Sequence, residues 1–381
     1  MKVRNTRKIN DRIAEYQSRQ GLNQFISAVI GLPVAAEQIV FDCPNKLESF
    51  KNTFHDYMTE NGINFTDDEL LIASMVISVL DDELGSFMEF PFEIFHEIVT
   101  NSHVFHRGEL EKNPYLQNIR IEPQSYGRFS LQKAYYAKYE LFMYNTPKDA
   151  FSGVMIPAIG TADYCYRYPM ITENGRPWMS ITPNEMYTMQ ESIGEAHGNV
   201  LTLGCGMGYF AYMAALKDSV DHVTIVEKEP EVISLFRTCI LPQFSCKDKI
   251  SIIEADAFEY MSTLEDGKYD YCFADIWYGA NDSVPYLKLK QICKKFSNMQ
   301  MSYWIEDALV IMMMNIVYFI ITAEYCKNLH MKVPEINIDA MPQNEKYKMG
   351  YFQNLLENKE INSKEDVDFY MDYRNIIKLM S

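Results

Sequence analysis

Between residue 198 and about residue 325, apolar β-branched runs alternate with helix-like stretches, and this alternation limits the fold more than any other feature of the chain. VLTL is followed by FAYMAALK, HVTIVE by PEVISLFRTCIL, KISIIEA by AFEYMSTL, and YDYCFAD by VPYLKLKQICKKF. SYWIE then leads into a long apolar helix. Strands separated by helices run parallel, because a parallel neighbour needs a crossover connection. Right-handed crossovers place the strand C-termini on one edge, where open α/β sheets bind their ligands. The expected class is α/β: a doubly wound Rossmann-like sheet, preceded by a mainly helical N-terminal region and a small β segment.

With 381 residues the chain exceeds one compact core and divides into parts. Residues 1–140 read as helical. Thr66-Asp67-Asp68-Glu69 is a capping box ahead of LLIASMVISVL, Gly85 suits a left-handed cap, and FPFEIFHEIV forms a second helix with Pro91 near its start. Residues 141–195 read as a β-rich lead-in with the strands YELFMYN, GVMIPAI and YRYPMIT, and Asn174-Gly175 marks a two-residue hairpin. ITPNEMYTMQESI is a helix started by Thr182 and Pro183. Residues 196–330 carry the α/β pattern, and 331–381 form a polar tail, helical near its end. The run ALVIMMMNIVYFIITA, 308–323, falls short of the ~20 residues of a spanning helix and is flanked by Glu306, Asp307 and Glu324. It reads as a core helix covered on all sides.

A net charge of −17 argues against a surface that grips nucleic acid. Lys2, Arg4, Arg7, Lys8, Arg12 and Arg19 make one basic stretch, read as a solvated helix face. The eight cysteines, at 43, 165, 205, 239, 246, 272, 293 and 326, include no CxxC pair, so reduced thiols and a cytoplasmic location are expected. The charged N-terminus lacks an apolar h-region, so no signal peptide and no membrane partner are expected.

The first βα turn of the alternating region is Gly204-Cys205-Gly206-Met207-Gly208, one residue tighter than the dinucleotide spacing. Glu227 ends the second strand, where a carboxylate can accept both hydroxyls of a ribose. Asp256 ends the third strand, placed for a purine's exocyclic amine, and Asp275 ends the fourth, beside the site where a reacting group would sit. An acidic rim of this kind suits a cationic cofactor better than a pyrophosphate.

These residues resemble the cofactor domain of class I S-adenosylmethionine-dependent methyltransferases, and VTIVEKEPEVI resembles the spermidine synthase branch of that superfamily. SITPNEM is similar to the helix that leads into the glycine loop in such enzymes. The likeness spans roughly 180–325. It implies S-adenosylmethionine as cofactor, held by Gly204, Cys205, Gly206, Gly208, Glu227, Lys228, Asp256, Ala257 and Asp275, on a seven-stranded sheet whose last strand is antiparallel. Asp275 and Tyr278 are the implied catalytic residues, Asp275 holding the acceptor's proton or contacting the cofactor's methionine portion. The family's usual acid before the loop is Thr202 here, and the acid and Asp-rich motif of spermidine synthases are replaced by Met207 and IWYGAND. Methyl transfer to an unidentified small-molecule or peptide acceptor is therefore expected ahead of aminopropyl transfer, with a non-catalytic binding protein as a third reading. A homodimer is left open.

Other candidates have plainer readings. Glu306 and Asp307, expected to lie beside Asp275, could bind a divalent cation, but capping of the long helix is the expectation. His96, His103 and His106 match no tight zinc spacing and are expected as surface or packed side chains. Tyr164, Tyr166 and Tyr168 suit an acceptor pocket or ordinary sheet packing. The acceptor is expected between the sheet edge and residues 150–182.

Overall fold

In this computed structural model, residues 1–36, 38–41, 58, 62–151, 153–331 and 340–381 are described. A short strand, β1 (Lys2–Val3), precedes the helix Arg7–Ile26, which Thr6 caps by accepting from the Ile9 amide. The helix Asp67–Leu84 begins at the expected box: Thr66 Oγ1 accepts from Glu69 N, and the Glu69 carboxylate accepts from Thr66 N at 2.7 Å. It stops at Gly85, whose φ of +77° lies in the left-handed region that side chains disfavour. With the helix Phe92–Thr100 it builds an apolar cluster around Ile72, Met75, Leu80, Phe95 and Ile98.

Strands begin earlier than the sequence reading placed them. β2 (His103–Phe105), β3 (Gln124–Tyr126) and β4 (Phe129–Tyr136) all fall within the region expected to be helical. Gly127, at φ +57°, turns β3 back onto β4, and the burial of Phe129 and Leu131 gives β4 a period of two. Next come β5 (Phe142–Asp149), β6 (Met155–Ala162), β7 (Tyr166–Glu173) and β8 (Arg176–Ser180). The β7–β8 turn has Asn174 and Gly175 at φ +50° and +78°, as an Asn-Gly hairpin requires. Two small sheets result, β2-β6-β5 and the antiparallel β3-β4-β7-β8.

The helices Pro183–Thr188 and Gln190–Glu195 lead into the main sheet. Its strands are β9 (Gly198–Leu203), β10 (Val220–Glu227), β11 (Ile250–Glu254), β12 (Tyr271–Ala274) and β13 (Gln300–Tyr303). All pairs are parallel, in the order β11-β10-β9-β12-β13. The protein is thus mixed α/β with a Rossmann-like strand order. β10 lies on one side of β9 and β12 on the other, so the turn after β9 opens at the point where strand order reverses. Among the described residues the sheet ends at five strands, without the antiparallel seventh that the resemblance implied.

The helix Glu306–Asn328 is long and apolar enough to cross a membrane by length and composition, and half of its most apolar stretch is buried here. The expectation of burial on all sides therefore holds for one face, which carries Leu309, Val310, Met313, Val317 and Ile321. It packs against β1 and the helices Gln343–Leu355, Lys364–Met371 and Tyr373–Met380. The tail expected to be merely polar is a wall of the core: Phe352, Leu356, Val367, Ile376 and Met380 are fully buried. A last strand, β14 (Glu360–Ile361), pairs in parallel with β1, and Arg12 bonds Asp368 at 2.5 Å. Removing the Phe352 ring opens a cavity beneath the apolar helix. Phe352→Ala is expected to cost about 3 kcal/mol, read as a lower urea midpoint; an unchanged midpoint would mean that the tail covers nothing.

Candidate functional site

Beyond Leu203 the glycine loop turns the chain into the helix Tyr209–Ala215. Gly204 sits at φ +98°, and a Cβ there would stand 2.2 Å from the Asp275 carbonyl oxygen at the neighbouring strand end. A Cβ on Gly206 would stand 2.2 Å from Met179 Cε, on the wall of a cavity. The bare backbone thus serves two ends: Gly204 lets adjacent strand ends approach, and Gly206 keeps a cradle open. Gly208, expected to touch the cofactor, is not on the cavity wall; it abuts Phe236 and Phe244 and starts the following helix.

Glu227 is buried, and its carboxylate is the hub of the loop. One oxygen accepts from Cys205 N at 2.9 Å, and the other accepts from Lys228 N at 2.8 Å and Glu229 N at 2.9 Å. Asp256 caps the helix Ala257–Thr263, with Oδ1 accepting from Phe258 N at 2.8 Å and Glu259 N at 3.2 Å. Thr202, where the family's acid would stand, is buried, its hydroxyl 3.5 Å from the Gly204 carbonyl.

The cavity above these strand ends has a volume of about 540 Å³, within the range of small-molecule sites. Gly204, Cys205, Gly206, Glu227, Lys228, Asp256, Ala257, Asp275 and Tyr278 all line it. Seven carboxylate side chains face it against two basic ones, Arg128 and Lys228. Desolvation, with Glu227 nearby, pushes the Asp275 carboxyl up to about 7. Glu185, from the lead-in helix, also lines the cavity; burial and Asp275 hold its carboxyl well above the usual carboxylate range. Trp277 is 5% exposed and its indole N–H has no hydrogen-bond partner among the described residues, whereas the Trp304 indole donates to Thr188 Oγ1 at 2.9 Å. Tyr278 is 78% exposed, a rim residue at the mouth. The part of the wall drawn from the segment just before the main sheet runs from Glu173 to Met189 and includes Trp178 and Met179, so it overlaps the expected 150–182 only at its end.

Three residues of this site escaped the sequence reading. Glu185 lay in a helix start that looked ordinary. Arg128, on the β3–β4 turn, donates to Glu173 at 2.7 Å and Glu231 at 2.8 Å and also bonds Glu229, tying the small antiparallel sheet to the turn beyond Glu227. Tyr115, fully buried, donates its hydroxyl to the Met207 carbonyl at 2.6 Å and so braces the glycine loop from outside the main sheet.

Other candidates lie elsewhere. Glu306 and Asp307 do not line the cavity beside Asp275: Glu306 accepts from Tyr286 Oη and Lys290 Nζ, both at 2.7 Å, and Asp307 accepts from Tyr373 Oη at 3.2 Å. Tyr164, Tyr166 and Tyr168 are sheet packing and are absent from the wall; Tyr164 donates to Glu111 at 3.0 Å. His103 bonds Glu109 at 2.7 Å, His106 lies 2.8 Å from Asp163 and 3.0 Å from Asp68, and His96 stacks on Phe65. Among the described residues no cluster of three or more His, Cys, Asp or Glu side chains is arranged to hold a metal. The described cysteines are free thiols; Cys43 lies outside the described residues.

No family model matches the chain, and no curated protein matches it. Solved structures similar to it include spermidine synthase from Thermotoga maritima, 14% identical with a TM-score of 0.29, over 48% of this chain and 84% of that one. A conserved hypothetical protein of Streptococcus pyogenes is 16% identical with a TM-score of 0.24, over 29% and 68% of the two chains. A precorrin 8W decarboxylase of Methanobacterium thermoautotrophicum is 18% identical with a TM-score of 0.25, over 38% and 70%. Likenesses at these scores carry no functional weight.

The raised Asp275 carboxyl sets a pH dependence. Its ordinary value is 3.8, so folding favours the protonated form; the stability it contributes is full below about pH 4 and is lost as pH rises through about 7. Asp275→Asn is expected to leave stability unchanged at pH 4 and to stabilise the ligand-free chain by about 2 kcal/mol at pH 8. Urea unfolding at both pH values checks this, and a gain of equal size at the two would contradict it.

Proposed function

We propose that the protein transfers the methyl group of S-adenosylmethionine to a small-molecule or peptide acceptor, on a doubly wound sheet, in the cytoplasm. One observation carries this reading: the cavity at the strand-order reversal is walled by a loop bared at Gly206 and by carboxylates at the C-terminal ends of β10, β11 and β12. The cradle that a Gly206 Cβ would fill, and a lining rich in negative charge, fit an adenosyl sulfonium. When bound, S-adenosylmethionine supplies an electrophilic methyl carbon on a positively charged sulfur.

The chain's own residues do the rest. Glu227, fixed by three amide N–H groups, presents its remaining lone pair, on the oxygen that Cys205 N engages, to a ribose hydroxyl. Asp256, with Oδ1 engaged by its helix, offers the rest of its acceptor capacity to the adenine edge. Asp275 holds a proton or a charge beside the reacting centre, and the aromatic wall of Trp178, Trp277 and Trp304 limits water and orients the acceptor. Proximity and alignment supply most of the rate in such a displacement.

Aminopropyl transfer from the decarboxylated cofactor is the second reading. The acidic lining favours it, because Arg128 is already shared among Glu173, Glu229 and Glu231, which leaves Lys228 alone of the two basic side chains of the lining to meet the methionine carboxylate.

Calorimetry decides between them. Micromolar binding of S-adenosylmethionine and S-adenosylhomocysteine is expected, with Glu227→Gln weakening both at least tenfold, or about 1.4 kcal/mol. Preference for the decarboxylated form would reverse the order of the two readings, and tighter binding of a dinucleotide would end both.

A further inference from the structure

Among the described residues, three α-helices begin with the same four-residue signature, a hydroxyl residue followed three places later by an acid. At Thr66 and Ser363 the box closes in both directions: the hydroxyl accepts from the acid's amide, and the acid's carboxylate accepts from the hydroxyl residue's amide. Thr182 and Glu185 make only half of it. Thr182 Oγ1 accepts from Glu185 N at 3.5 Å, but the Glu185 carboxylate does not return to the Thr182 amide. Among the described residues it accepts no hydrogen bond at all, and it lines the cavity instead. A carboxylate that forgoes an available cap and lines a cavity without a hydrogen-bond partner among the described residues departs from local consistency, and such departures gather where a site needs the group.

The cofactor reading does not account for this carboxylate. In that reading Glu227 and Asp256 meet the ribose and the base, whereas Glu185 comes from the lead-in helix that also carries Thr188, the hydrogen-bond partner of Trp304. The groups facing it are Asp275 after β12, Tyr209 on the helix beyond the glycine loop, and Tyr136 at the end of β4, with Glu227 behind Asp275. None of these is a cation. Two adjoining carboxyl groups without a positive neighbour want a donor that brings its own charge.

We propose that Glu185 is the acceptor-side carboxylate of this cavity: it seats a basic nitrogen of the acceptor and takes its proton. The inference rests on the cofactor reading given above and names the acceptor class. An alkylammonium enters and pairs with Glu185 and Asp275. Its N–H bond breaks as a carboxyl O–H bond forms on Glu185, which frees the nitrogen lone pair. That pair makes the N–C bond to the methyl carbon while the C–S electron pair withdraws onto sulfur and leaves a neutral thioether. Burial supports the step, since a desolvated carboxylate is a stronger base than an exposed one.

All three tryptophans of the chain, Trp178, Trp277 and Trp304, line the cavity, so intrinsic fluorescence reads its occupancy directly. The experiment titrates n-hexylamine and n-hexanol at pH 7.5 into full-length protein saturated with S-adenosylhomocysteine. The wild-type chain is expected to bind the amine at least tenfold more tightly than the alcohol. Glu185→Gln is expected to erase that preference while holding its affinity for S-adenosylhomocysteine within twofold, and Glu185→Asp to restore part of it. An amine preference that survives in Glu185→Gln, or equal binding of amine and alcohol by the wild-type chain, overturns the proposal. Failure of the wild-type chain to bind S-adenosylhomocysteine overturns the cofactor reading instead, and the amine preference is then read on the ligand-free protein, where the same outcomes decide.

Discussion

Everything at the site depends on how one buried carboxylate is satisfied. Glu227 gathers the amide of Cys205 and those of Lys228 and Glu229, so that the turn after β9 and the turn after β10 share one anion. A desolvated carboxylate costs several kcal/mol unless hydrogen-bonded, and here the backbone supplies the bonds without spending a side chain. The glycine loop is therefore preorganised before any ligand arrives. Gly204 completes the arrangement from the other side, because only a residue without Cβ lets the Asp275 carbonyl come so close.

Around this hub the protein braces the loop from segments outside the main sheet. The Tyr115 hydroxyl reaches the Met207 carbonyl, Asn113 donates to the Tyr209 hydroxyl at 2.8 Å, and Arg128 spans three carboxylates on two elements. The rings of Tyr115, Tyr209, Tyr212 and Phe244 pack together beneath the loop. Residues before 140 thus help to shape the cavity, and removing any one brace would let the loop relax toward the space it borders.

Much of this was legible in the sequence. The βα alternation gave strand positions and parallel pairing, since period and spacing are local properties, and the carboxylates after three strands placed the cavity. The capping box at Thr66 and the Asn174-Gly175 turn were readable because each is set by a few adjacent residues. What escaped was non-local. QSYGRFSLQKAYY gave no strong turn signal, so β3 and β4 passed for helix, and with them Arg128. Glu185 satisfied a capping pattern that only three-dimensional packing could break. The tail looked polar because its apolar residues are spread thinly over three short helices, each burying one face. Asp307 sat beside Asp275 in expectation, yet the long helix carries it to Tyr373.

The parallel pairing of β1 with β14 has a further consequence. Residues 2–3 find their partners only at 360–361, and the apolar helix Glu306–Asn328 gains much of its cover from the helices that follow it, Gln343–Leu355, Lys364–Met371 and Tyr373–Met380. On the ribosome that greasy surface therefore emerges well before its lid exists. Until those helices have been made the apolar face stands open to other chains, and the pairing of residues 2–3 with 360–361, a contact of high sequence separation, is expected to form late in folding.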